Sequence, residues 1–278
     1  MWKRRNKMDR IPNVLAVMSS KGGVGKTVTT ANLAAALAIK LNKKVLAIDT
    51  NLSTASLGLH MDIFYPKFTI HGICKKNFPI DKAIHKYDKN LHVIPAEIKI
   101  GKKDKNPESF HKNILKIAEG YENLLKKLSK DYDLILLDCS PGFSMEAIAV
   151  MYVAGGLLLV INPEYPALVS AVKSVEYAKF LKMPVGGAIL TKVTNKKYEL
   201  KEDEMEKALG IKIIGKVPFD KKVPKSIANK KPVVLSYPHS KSAIAYKKLA
   251  TFLIGGKQKR GFFKKLKKSY LGREKKRS

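Results

Sequence analysis

Between residues 10 and 260 the chain has no arginine; all six lie in the first ten residues or from Arg260 onward, and lysine alone supplies the positive charge of everything between. A cation aimed at a substrate from that body must therefore be an ammonium, a point charge, and not the planar fork of a guanidinium. Cysteine is nearly absent. Cys74 and Cys139 stand 65 residues apart with no C-x-x-C pair, so neither a disulfide framework nor a zinc or iron–sulfur ligand set is legible within one chain, and a reducing cytoplasm fits. Acidic residues are few, 23 against 54 basic ones, and the net charge of +31 predicts attraction to polyanions such as nucleic acid or a membrane surface. Long apolar runs are missing too. The longest, Ala147 to Ile161, has 15 residues and is interrupted by Gly155-Gly156; it falls short of the roughly 20 needed to span a bilayer and reads as a helix, a turn and a buried strand. The basic start MWKRRNKMDR is followed by only a short apolar run, Val14 to Met18, too brief for the core of a signal peptide. His60, His71, His85, His92, His111 and His239 show no metal-ligand spacing.

What is present is a regular alternation. With 45% hydrophobic residues in 278, the chain can bury one large core. Short β-rich apolar runs at 13–18, 44–49, 91–95, 133–138, 157–162, 186–191 and 211–215 alternate with helical patterns at 27–41, 108–130, 144–154, 165–181, 199–209 and 241–254. That order predicts an α/β fold, a three-layer, mostly parallel sheet flanked by helices. Runs such as LILLD and LLLVI are apolar on both faces, as burial between two helical layers requires. The charge divides the chain: residues 1–10 form a basic extension of +4, residues 11–254 a folded body of +17, and residues 255–278 a basic tail of +10.

The most informative run is SSKGGVGKTVTT, Ser19 to Thr30, which sets G-x-x-G-K-T between a predicted strand and a predicted helix. This is where a phosphate loop belongs. Glycines let backbone N–H groups converge on phosphate oxygens, and the helix N-terminus adds positive potential. Lys26 is expected to contact the β- and γ-phosphates and Thr27 to ligate Mg²⁺ through its hydroxyl, with Gly22, Gly23, Val24, Gly25 and Val28 completing the cradle. In DYDLILLDCSPGF, Asp131 to Phe143, four apolar residues end in Asp138. That puts a carboxylate at the carboxyl end of a central strand, placed to hold Mg²⁺ through water.

The loop KGGVGKT opens on a second lysine, Lys21, and in this it resembles the deviant Walker A ATPases of the MinD and ParA family, within the P-loop NTPases of the SIMIBI type. The resemblance covers nearly the whole body. It implies that Lys21 reaches across an ATP-sandwiched homodimer to the partner's phosphates. It makes KKVLAIDTNLSTASLGL, Lys43 to Leu59, the second strand and first switch, with Asp49 also near Mg²⁺ through water. It places INPE (161–164), ILTKV (189–193) and GKVPFD (215–220) around the nucleotide, so that Thr191, Lys192 and Pro218 enclose the base. One position departs from the pattern. The usual first switch reads D-x-D, and its second aspartate positions the attacking water; here Asn51 stands there. Asparagine can hydrogen-bond a water but cannot accept its proton, so slow hydrolysis and a long-lived ATP dimer are expected, unless Asn51 is an equivalent variant. The run Thr191-Lys192-Val193-Thr194 lacks the aspartate with which phosphate-loop GTPases read guanine, and ATP is therefore the expected nucleotide.

In the tail, Phe262, Phe263, Leu266 and Tyr270 fall within one arc of roughly 100° at helical spacing, and Lys264, Lys265, Lys267 and Lys268 fill much of the remainder. Large apolar anchors beside lysines compose an interfacial helix for anionic lipid. It resembles the membrane-targeting helix of MinD, and two copies on a dimer would gain avidity. A solvated basic tail is the plainer alternative. The resulting expectation is a cytoplasmic protein, peripheral on the inner face of the cell membrane, that answers to an unidentified protein effector. Nonspecific DNA bound through the basic body is the second reading, and an iron–sulfur carrier the third.

Overall fold

The structure is a computed structural model that describes residues 9–51, 55–70, 72–73, 79–97 and 107–255. Cys74 and the tail residues Phe262 to Tyr270 lie outside the described residues.

Among the described residues eight strands form one sheet: β1 (Ile11–Met18), β2 (Val45–Asp49), β3 (His85–Asp88), β4 (Leu91–Ile94), β5 (Leu134–Asp138), β6 (Ala154–Ile161), β7 (Val185–Val193) and β8 (Ile213–Pro218). Their order is β3-β4-β2-β5-β1-β6-β7-β8. Every pairing is parallel except the edge hairpin of β3 with β4. Among the described residues ten helices accompany them: α1 (Lys26–Ala35), continued by a π-helical turn over Ala36–Lys40, α2 (Leu57–His60), α3 (Ile80–Ala83), α4 (Pro107–Leu128), α5 (Met145–Val153), α6 (Tyr165–Phe180), α7 (Glu202–Leu209), α8 (Lys222–Ala228), α9 (Val233–Ser236) and α10 (Lys241–Leu253). The expected three-layer α/β architecture is present.

Because successive side chains point to opposite faces of a strand, each central strand feeds two cores. Val14, Ala16 and Met18 of β1 join Ile135 and Leu137 of β5 under α4 and α5. Leu15 and Val17 join Leu134 and Leu136 under α1 and α10. A third cluster packs Ala167, Leu168 and Ala171 of α6 and Met205 of α7 on Leu159 and Ile161 of β6. This explains the unbroken apolar runs. Sheet order reverses at β1, between β5 and β6, and such a switch point opens a crevice at the carboxyl ends of the strands.

Two local readings are corrected. Gly155-Gly156 is not a turn, since α5 ends at Val153 and β6 begins at Ala154. A Cβ on Gly155 would lie 2.4 Å from the Ile11 carbonyl oxygen and 2.8 Å from Pro12 Cα, so glycine serves close strand approach there. The predicted helix 199–209 starts only at Glu202. Glu199 instead accepts from Thr194 N at 2.7 Å, Thr194 Oγ1 at 2.8 Å and Asn195 N at 2.8 Å, closing the preceding turn. Strand β3 and the short helices α2, α3, α8 and α9 carry too few residues to show a period. Arg10, whose charge has no evident role in the sequence, fastens helix ends: its guanidinium donates to the carbonyls of Met151, of Ala154 at 3.3 Å and of Leu181 at 2.7 Å.

Candidate nucleotide-binding site

The loop leaving β1 turns on Gly23 (φ +76°) and Gly25 (φ +92°), left-handed backbone that L side chains disfavour. Gly142 N, from the turn after β5, donates to Ser19 O at 2.8 Å and ties that turn to the loop's entry. Helix α1 then begins at Lys26 with no acidic residue in its first turn, so its positive end stays uncompensated.

Asp138 is the hub. It is fully buried and accepts from Lys26 Nζ at 2.7 Å and Thr30 Oγ1 at 3.1 Å on one oxygen, and from Thr27 Oγ1 at 2.7 Å on the other. Asp49 stands beside it in register on the adjacent strand. Its carboxylate accepts from Asn51 N at 2.9 Å, Ser56 N at 2.9 Å and Leu57 N at 3.0 Å, which anchors the start of α2. Burial, and then the negative charge of Asp138, push the Asp49 carboxyl up to about 7. Two carboxylates held side by side with a threonine hydroxyl make an all-oxygen donor set, which suits a hard divalent cation. Such a cation would also relieve the repulsion that raises Asp49. Asn51 is 4% exposed; its backbone is tied to Asp49 and its side-chain oxygen accepts from Ser140 Oγ at 3.2 Å. Cys139, adjacent to the hub, is buried, and that burial pushes its thiol up to about 12; it is a packing residue.

A cleft of about 510 Å³ opens over this floor. Gly22, Gly23, Gly25, Lys26, Thr27 and Val28 line one end; Pro218, Phe219, Val223, Pro224 and Ile227 line the other. Ser56, His60 and Asn51 complete one flank, and Tyr246 of α10 also contributes. Of the base-side residues expected from sequence, Pro218 and Lys192 line the cleft directly. Thr191 also borders it, but its hydroxyl is spent as a brace, donating to Val24 O at 2.5 Å with Asn162 Oδ1 3.0 Å away. Lys192 Nζ donates to Gly23 O at 2.7 Å. Val24 itself is buried beneath the loop. Lys21 is not among the lining residues; its half-exposed side chain lies 3.9 Å from Glu164 Oε1.

An AAA domain family model matches residues 12–183, more than half of the chain. The chain is 33% identical over 260 residues to an uncharacterized ATP-binding protein of Methanocaldococcus jannaschii, covering 93% of this chain and 94% of that one. It is 28% identical to the septum site-determining protein MinD of Bacillus subtilis, covering 87% and 88%. A solved structure of MinD from Pyrococcus horikoshii complexed with Mg-ADP superposes with a TM-score of 0.75 at 27% identity, covering 86% of this chain and 94% of that one. The chain belongs to the MinD/ParA family of P-loop ATPases.

Within that MinD/ParA frame, sequence reasoning missed several residues that line the cleft. Val223, Pro224 and Ile227 come from the seven-residue helix α8, and His60 and Tyr246 stand 186 residues apart in the chain. The run VPFDKKVPKSI does carry a local signal, Val223 and Ile227 four residues apart with a proline in the first turn. His60 and Tyr246 carry none, since only the topology brings them together.

Proposed function

We propose that this chain is a MinD-like switch that binds Mg²⁺ and ATP, dimerises on ATP, and associates through its tail with an anionic membrane surface on the inner face of the cell membrane, positioning division or other cellular machinery. The observation that supports it most is the division of labour between two lysines. Lys26 is buried against Asp138 at 2.7 Å, inside its own cleft. Lys21, one residue before the glycines, is exposed and outside it. A lysine so placed would leave its exposed Glu164 partner to meet phosphates held by a second copy, and the arginine-free body offers no guanidinium for that task. Thr27, Asp138 and Asp49 would hold Mg²⁺, which would supply charge neutralisation at the phosphates. Thr27 would turn its hydroxyl from Asp138 toward the cation, and Lys26 would leave Asp138 for the phosphates.

Asn51 bears on the hydrolytic step. Its side-chain oxygen is engaged by Ser140, and an amide cannot take the proton of an attacking water. Slow turnover follows, which lengthens the lifetime of the ATP dimer. Asn51→Asp should raise turnover about a hundredfold or more, the typical worth of a placed base; a wild type as fast as the variant removes the slow-hydrolysis reading. The whole proposal is tested by sedimentation with anionic liposomes. Recruitment should require ATP, and should be lost in Lys26→Ala and on deletion of 257–278; recruitment indifferent to ATP would overturn it.

One observation favours the DNA reading. Residues 211–255 hold ten lysines and a single acid, and that acid, Asp220, is engaged by Lys222 N at 2.9 Å and by Ser242 N and Oγ at 3.1 and 2.8 Å. Lys221, Lys222 and Lys225 at α8 and Lys241 and Lys248 on α10 are all exposed. Salt-sensitive retardation of random duplex DNA that survives deletion of the tail would support that surface as the main one.

A further inference from the structure

Among the described residues three lysines adopt left-handed backbone, Lys182, Lys192 and Lys230, and the last two stand beside the nucleotide cleft. Lys192 (φ 56°) braces the phosphate loop, as described above. Lys230 (φ 54°) lies just past α8, where its N–H donates to Ile227 O at 2.9 Å and closes the helix end. Helices that end this way usually place glycine at the left-handed position, because a Cβ crowds the following carbonyl. Lys182 (φ 54°) closes the end of α6 in the same way, its N–H donating to Lys179 O at 2.9 Å, so what distinguishes Lys230 is where its side chain goes. Its Nζ lies 4.2 Å from the centroid of the Phe64 ring and 3.8 Å from Asp62 Oδ1. The segment it meets is itself unusual, for Asp62 (φ 56°) and Tyr65 (φ 45°) are also left-handed.

These contacts join the two walls from outside. The 62–65 turn follows α2 directly, and Ile63 N donates to Gly58 O at 2.9 Å, folding the turn back on that helix. Helix α2 starts on Asp49 and brings His60 to the cleft. Helix α8 supplies Val223, Pro224 and Ile227 to the facing wall. We propose that Lys230 is a positioning residue, a strap across the back of the cleft that holds the α8 wall against the first-switch wall and slows release of bound nucleotide. The inference rests on the reading that the cleft binds ATP. It deepens that reading by assigning nucleotide residence time to a residue that does not itself line the cleft and meets it only through the Ile227 carbonyl.

Lys230, Asp62 and Phe64 are all exposed. An ion pair of this length in water contributes little, and a cation over an exposed ring contributes enough for an effect of about threefold to fivefold. The test is the release rate of a fluorescent ATP analogue from the full chain with Mg²⁺, chased with excess ATP. Lys230→Gly should release it about threefold to fivefold faster, without a lower melting temperature, since glycine relieves the left-handed backbone. Lys230→Arg keeps the cation and should release at close to the wild-type rate. Phe64→Leu should match Lys230→Gly, and the double variant should be no faster than either single one. Release from Lys230→Gly at the wild-type rate overturns the strap, as do single effects that multiply in the double variant. A wild type that binds the analogue no better than Lys26→Ala removes the nucleotide reading itself, and the strap with it.

Discussion

The two ends of the cleft are built by opposite means. At the phosphate end, polar side chains are buried and bonded to one another: Asp138 takes three donors, Asp49 takes three more, and the glycines of one short loop set the backbone. At the base end, Phe219, Ile227, Val223 and Pro224 form an apolar wall from a short helix, and Phe219 and Ile227 remain 56% and 38% exposed. On the proposed function, the difference follows from the chemistry each end would meet. Phosphate and a divalent cation demand directed charge and fixed donors, which low dielectric strengthens and an unpaired partner penalises. A base demands area and shape, and loose apolar surface can provide both. Substitutions at the first end should therefore disturb folding and binding together, and those at the second should disturb binding alone.

Lys26→Ala tests the strong half of that contrast. It removes the phosphate contact and also leaves Asp138 buried with only two hydroxyl partners, so nucleotide binding should be lost and the nucleotide-free protein destabilised by about 3 kcal/mol. Titration with ATP and urea unfolding of the apo protein measure the two effects separately; a variant that binds nothing yet unfolds like wild type would show that the Lys26–Asp138 pair is not part of the fold's stability.

Asp49 gives a smaller effect with a definite sign. Its carboxyl is raised from 3.8 to about 7 by burial and by Asp138, so between those values the folded state keeps a proton that the unfolded state has given up. Stability from this group is full below the lower value and is lost as pH rises through the higher one. The apo protein should be more stable near pH 5 than near pH 8, and Asp49→Asn should flatten that part of the profile. Mg²⁺ with ADP should shrink the slope as well, because a cation favours the ionised carboxylate. An identical profile for wild type and Asp49→Asn would mean that Asp49 is already ionised in the apo fold.

The same contrast decides what could be read from the sequence. Lys26, Thr27 and the loop glycines were legible because a phosphate site is made from consecutive residues, and Asp138 because an apolar strand ending in a carboxylate is a local pattern. The parallel sheet was legible because β1, β5 and β6 are buried on both faces and are continuous apolar runs. Gly155-Gly156 was misread as a turn because nothing local shows that the Ile11 carbonyl will pass 2.4 Å from a Cβ there. His60 and Tyr246 at the cleft, and Lys230 against Phe64, are pairings across many residues that only the finished topology creates. Asp49 is intermediate: its strand-end position was visible, while its role as acceptor for Ser56 and Leu57 was not.

Ile227→Ala probes the weak half. The side chain is partly exposed, so its truncation should change folding stability by less than about 1 kcal/mol. If the base lies on this wall, loss of three carbons of contact should weaken ATP binding by about threefold to tenfold, with Phe219→Ala acting in the same direction. Affinity measured beside the melting temperature decides the matter. Unchanged affinity in both variants would put the base elsewhere in the cleft, whereas a fall in stability comparable to that of Lys26→Ala would make the base end a structural element and erase the distinction between the two ends.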